Sequence, residues 1–196
     1  MRFTERVDTI LGIQAGRGGL QMIRIAEQAK QSPRNATPLG WDATHLCYPG
    51  VNTCLTISAI GKPHFGKTSK EGMLVGMHLG LFMGAGEEGG KGSEHSKMID
   101  DAYLGLYLYM LGQHAWVRGG GAERLYIAGA VDVWRSSAAA QWRQVTATLD
   151  VWSTKMRAPV EIVRFDDDVC ATVDVHVTRA GVRFTTVGTD TVVAQL

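Results

Sequence analysis

Residues 61 to 68, GKPHFGKT, satisfy the spacing G-x-x-x-x-G-K-[ST] through Gly61, Gly66, Lys67 and Thr68. In that pattern the amides of a glycine loop cradle phosphates, the lysine reaches the terminal phosphates, and the hydroxyl ligates Mg²⁺. Lys67 would hold phosphate, Thr68 the metal, and Asp132, at the end of the apolar run LYIAGAVD, would be a carboxylate of the Walker B type. The chemistry also needs a strand before the loop and a helix launched directly after it. TCLTISAI (53–60) supplies the strand. The loop departs from the pattern, because Lys62, Pro63, His64 and Phe65 include no glycine and place a bulky ring where a small residue is usual. The segment after Thr68 carries Gly72 and Gly76 within a few turns, which a soluble helix tolerates poorly. We read 61–69 as a hairpin loop between strands at 53–60 and 72–84, with a nucleotide enzyme using Lys67, Thr68 and Asp132 as the alternative. Secondary structure after Thr68 separates the two.

Other chemistry-bearing groups are scattered. His45, Cys47 and Cys54 lie close together, but their spacing is not that of a zinc pair and no second pair follows, so they read as small buried residues and no metal is expected. Asp166, Asp167 and Asp168 form an acidic run without the alternation of a calcium loop and read as a solvated turn. None of the six histidines sits in a hydrolase or metalloprotease setting. His78 reads as packed within a sheet and His176 as a surface residue on the polar face of a strand. No catalytic group and no cofactor is nominated.

The elements that would position these groups follow from periodicity. Residues 3–15 and 19–31 read as helices, and Pro33 stops the second. Residues 32–52 read as a connecting loop holding at most a short strand. In EGMLVGMHLGLFMGAG the glycines recur every fourth residue, but several glycines inside a helix cost about 1 kcal/mol each, so the segment reads as strand. GAGEEGGKGSEHS is a polar connection into a helix over 97–113, whose face is assigned to Ile99, Ala102 or Tyr103, Leu106, Met110 and Gln113. Leu104, Leu108 and Leu111 make that helix apolar nearly all round, so it should be covered on more than one side. After it, RLYIAGAVDVW, QVTATLDVW and VCATVDVHVT all alternate and read as antiparallel strands, followed by a hairpin through VRFTTV and TVVAQL. Trp134 and Trp152 would then end two strands on a nominally exposed face, covered either by the 97–113 helix or by another subunit.

Composition bounds the function classes. The chain has 196 residues with 20 basic and 19 acidic side chains and no Lys/Arg block, which argues against charge-driven binding of nucleic acid or membrane surfaces. With 45% apolar and 20% charged residues the chain should fold as one domain with an appended part. The N-terminal residues mix acid and base without an apolar stretch, so synthesis in the cytosol is expected, with the three cysteines reduced.

The order of elements, above all GMLVGMHLGLFMGAGEEGG…SKMIDDAYLGLYLYMLG followed by VTATLDVWS, together with FTERVDTILG near the start, resembles the tail-terminator and neck proteins of long-tailed bacteriophages. The resemblance runs over roughly residues 3 to 153. It implies an α+β fold in which an antiparallel sheet is flanked by helices. A domain over 1–153 would carry a C-terminal β-hairpin extension over 154–196. The implied role is that of a non-enzymatic virion protein, a ring usually of six subunits that caps the tail tube and joins it to head-completion or neck proteins. Partners would be further copies of the chain and tail proteins, with no sequence-specific nucleic acid. In a heterologous ring the loops carrying Lys62, Lys67, Lys70, Glu87 and Glu88 are candidate contacts, with Trp134 and Trp152. A generic oligomeric β-rich binding module is the remaining alternative.

Overall fold

The run TCLTISAI folds as a strand buried along its length, Leu55–Gly61, paired antiparallel on one side to Leu74–Leu79 and on the other to Ala122–Gly129. Leu55, Ile57 and Ala59 lie on one buried face, while Thr56 and Ser58 on the other are buried with hydrogen bonds to Ala128 O and Tyr48 Oη. The computed structural model describes residues 14–15, 23–25, 39–42, 44–62, 73–83, 97–99, 101–117, 121–164, 172–188 and 191–195.

In chain order the first strands are β1 (Gln14–Ala15), β2 (Ile23–Arg24), β3 (Leu39–Asp42), β4 (His45–Val51), β5 (Leu55–Gly61), β6 (Leu74–Leu79), β7 (Phe82–Met83) and β8 (Lys97–Met98). Helix α1 (Asp101–Val117), β9 (Ala122–Gly129), α2 (Val131–Ser137) and α3 (Ala139–Met156) follow. The chain continues through β10 (Val160–Arg164), β11 (Val173–Thr178), β12 (Gly181–Thr186) and β13 (Val192–Gln195). One sheet has the order β1-β3-β6-β5-β9-β10 and a second β13-β12-β11-β4-β2, with β7 and β8 paired separately. Pairing is antiparallel except for β1 with β3, β2 with β4, and β9 with β10.

The fold is therefore α+β, with mainly antiparallel sheets, helices packed on them and a C-terminal hairpin of β11 and β12. Two apolar cores define three layers. Leu55, Ile57, Val75, Met77, Leu125 and Ile127 face the helices, where Leu104, Leu108, Leu111, Trp134, Val145 and Leu149 meet them. On the opposite face Ile60, Leu74, Tyr126 and Ala128 meet Leu46, Tyr48, Val175, Val177 and Phe184 of the second sheet. At this inter-sheet contact Tyr48 Oη and Ser58 Oγ are hydrogen-bonded at 2.5 Å above Gly76.

Several expected elements are corrected. The described parts of 3–15 and 19–31 are the strands β1 and β2, held by pairing to β3 and β4, and the remaining residues of those segments lie outside the described set. The stretch read as loop contains β3 and the seven-residue β4. VDVW and QVTATLDVW are helical, in α2 and α3. In α3 the buried residues are Val145, Leu149 and Met156 with Trp142 and Trp152 half-buried, a stripe at steps of three and four, while Ala147 and Val151 are exposed. Val145 and Leu149 satisfy both periods, and the helix-forming AAAQWRQ favours the longer one. Helix α3 runs unbroken through position 153, β10 pairs with β9 in the first sheet, and β11 pairs with β4 in the second.

Candidate functional site

Helix α1 presents the largest chemical anomaly of the described surface. Its core stripe is Leu104, Leu108, Leu111 and Ala115, at steps of four, three and four. Tyr103, Leu106, Tyr109 and Trp116 stand on the opposite side, exposed by 47%, 51%, 63% and 59%. Of the face assigned from sequence, Ala102, Tyr103, Leu106 and Gln113 point outward, whereas Met110 is half-buried against the core and Ile99, ahead of the helix, is fully buried. Between Ala102 and Trp116 the chain has no Asp, Glu, Lys or Arg. The helix is apolar all round because both the core and this outer face draw on it. Its third side packs on α3, where Trp152 lies over Gly112: a Cβ there would sit 2.7 Å from the indole. The helix start is tied by Gln141 and Gln144 side-chain amides donating to the Asp101 carboxylate and carbonyl at 3.1 and 3.0 Å.

Trp134 is fully buried, and its indole N–H donates to Thr53 O at 2.9 Å, so it is a core residue that locks α2 onto the start of β5. Trp152 is covered within the chain by α1. Both tryptophans lie on helices, not at the ends of strands, so neither marks an exposed sheet face. Lys62 donates from Nζ to Met156 O at 2.5 Å, placing its charge at the carboxyl end of α3, where orphan carbonyls and the helix dipole favour a cation. Its charge is used inside the fold. Lys67, Thr68, Lys70, Glu87 and Glu88 lie outside the described residues.

The nucleotide alternative loses its frame. Only Ser69 to Gly72 separate Thr68 from Met73, whose carbonyl already accepts from Gly61 N–H at 3.0 Å in the β5–β6 hairpin. Among the described residues the next element is the antiparallel strand β6, not a helix. Asp132 lies in the first turn of α2 and is paired with Arg164 and Arg135 at 3.1 and 3.3 Å.

On the outer face of the second sheet lies a polar group that the sequence did not join. Cys47 is the cross-strand partner of His176, and Asp174 lies two residues along the same strand. His176 is buried, not a surface residue: β11 is an inner strand between β4 and β12, and the ring is held between His45 and Thr185 on those neighbours. His45 Nε2 and His176 Nδ1 are 2.9 Å apart, and His176 Nε2 is 3.0 Å from Thr185 Oγ1. The Asp174 carboxylate accepts from Gly50 N–H at 2.9 Å and Gly188 N–H at 3.2 Å. Cys54, grouped with His45 and Cys47 from its position, instead lies in the core between the sheets. His78 is buried in β6, as expected for a residue packed within a sheet, with Nδ1 donating to Ile25 O at 3.0 Å.

Compared with known proteins, the sequence matches no protein-family model, and no curated protein matches it significantly. Among the described residues no helix is long and apolar enough to cross a membrane.

Proposed function

We propose that this chain is a non-enzymatic structural subunit that works by self-assembly, of the kind that forms a ring at the phage tail or head–tail junction. The observation that supports this reading best is the outward face of α1. Tyr and Trp enrichment with depletion of charge is the composition of the buried centre of a protein interface, and here Tyr103, Leu106, Tyr109 and Trp116 gather on one helix face. The occupant we assign is a neighbouring copy of the chain.

From Tyr103 to Trp116 the stripe spans about 20 Å at about 1.5 Å per residue and about 10 Å in width, on the order of 200 Å² per subunit. A stable interface buries about 800 Å² per partner, so the helix face can be only the centre of a larger contact. Assembly should accordingly depend on concentration and be strengthened by the tail-tube protein that such a ring would cap. Native mass spectrometry and negative-stain imaging, with and without tail-tube protein, are expected to show a closed ring. A monomer under both conditions would refute the assignment.

A further inference from the structure

We propose that His45, Cys47, Asp174 and His176 form a binding site for a borderline divalent cation of the zinc type. Three of these side chains, Cys47, Asp174 and His176, bring Sγ, a carboxylate oxygen and an imidazole nitrogen within 4.8 Å of one another. They are 0%, 3% and 4% exposed. The sheet enforces the convergence. Cys47 and His176 face each other across β4 and β11, Thr178 pairs with His45 one step of the pleat further on, and Asp174 precedes His176 on the same face.

The two imidazoles stand slightly closer than a shared ion requires. Tetrahedral zinc takes nitrogen at about 2.0–2.1 Å and sulfur at about 2.3 Å, so two imidazole nitrogens on one ion stand about 3.3 Å apart. His45 Nε2 and His176 Nδ1 are already at 2.9 Å with rings tilted by 41°, and need to part by only a few tenths of an ångström. The Cys47 and Asp174 donor atoms lie within 4.8 Å of a His176 nitrogen, and His45 joins the group through its contact with His176. The surrounding hydrogen bonds are of the type that orients metal ligands: two backbone amides hold Asp174, and Thr185 Oγ1 holds the far nitrogen of His176.

The donor set chooses the ion. One thiolate, one carboxylate and two neutral imidazoles suit zinc or cobalt and are a poor match to calcium or magnesium, which take oxygen. A divalent cation also neutralises the two anions, which would otherwise be costly to bury together. Entry is available on the His45 side. A cavity of about 290 Å³, lined by His45, His176, Thr178 and Arg183 among others, opens beside the cluster. This assignment is independent of the assembly role.

The test is titration of the full chain, stripped with chelator under reducing conditions, with Co²⁺ and then competing Zn²⁺. One equivalent of Co²⁺ is expected to give tetrahedral visible absorption with a thiolate charge-transfer band, displaced by Zn²⁺. Cys47→Ser should abolish the charge-transfer band, and His45→Gln, at a half-buried position with little risk to folding, should weaken binding at least tenfold. No absorption change at one equivalent of Co²⁺ overturns the site. So does a charge-transfer band undiminished in Cys47→Ser, while unchanged affinity in His45→Gln overturns the four-ligand set.

Discussion

Replacing Gly76 by alanine tests the inter-sheet contact at its tightest point. A Cβ at this position would lie 1.7 Å from Tyr48 Oη, 2.8 Å from Tyr48 Cζ and 2.9 Å from Leu46 Cδ1. Tyr48 cannot turn into solvent, because it is fully buried and its hydroxyl is bonded to Ser58. Overpacking of this kind costs about 1–3 kcal/mol. Breaking the Tyr48–Ser58 bond leaves two buried hydroxyls unmatched, for about 1–3 kcal/mol more. Alanine returns about 0.5–1 kcal/mol of backbone entropy. The net expectation for Gly76→Ala is a loss of about 3 kcal/mol, which for a chain of this size lowers the melting temperature by about 6–12 °C. Urea unfolding followed by circular dichroism measures it. Tyr48→Phe removes the nearest atom, so the double variant should be more stable than the sum of the single losses predicts, by at least about 1 kcal/mol. A Gly76→Ala loss below about 1 kcal/mol, or strict additivity with Tyr48→Phe, would refute this account of the packing.

Three further outcomes are expected. Burial raises the Tyr48 phenol well above its ordinary value, with the hydrogen bond to Ser58 opposing. The unfolded chain therefore loses this proton first, and the contribution to stability is intact below about pH 10 and lost as pH rises beyond it; pH-dependent urea midpoints should fall less steeply there in Tyr48→Phe. Lys62→Met removes the cation at the end of α3 and should cost about 1 kcal/mol in thermal unfolding, and an unchanged midpoint would show that the bond to Met156 O contributes nothing. Arg157 closes α3 in the left-handed region at φ 54°, so Arg157→Gly should stabilise by up to about 1 kcal/mol, and a destabilised variant would contradict that reading of the cap.

Local sequence revealed some elements and misled on others for identifiable reasons. The strand over Leu74–Leu79 was legible because repeated glycines are costly in a helix, and Gly76 is needed because Tyr48 of another sheet lies against it. Helix α1 was legible, but its orientation was not. With apolar residues on every side, periodicity could not say whether Leu104 or Leu106 faces the core. Helix α3 was misread because Val145 and Leu149 fit two periods, and the deciding contacts with α1 and the first sheet are distant in sequence. The polar group on the second sheet was invisible for the same reason. Cys47 and His176 are neighbours only through the pairing of β4 with β11, although the alternation of Asp174, His176 and Thr178 did place those three on one face.

The central claim is that the chain acts by assembling through the outward face of α1. Its most direct test is sedimentation velocity over a wide concentration range, comparing the wild type with a Leu106→Glu, Tyr109→Glu variant. Both residues are exposed, so the variant should keep the melting temperature of the wild type. The account predicts that the wild type sediments faster as concentration rises while the variant remains a monomer. A variant that assembles as the wild type does, or a wild type that remains a monomer throughout, would contradict it.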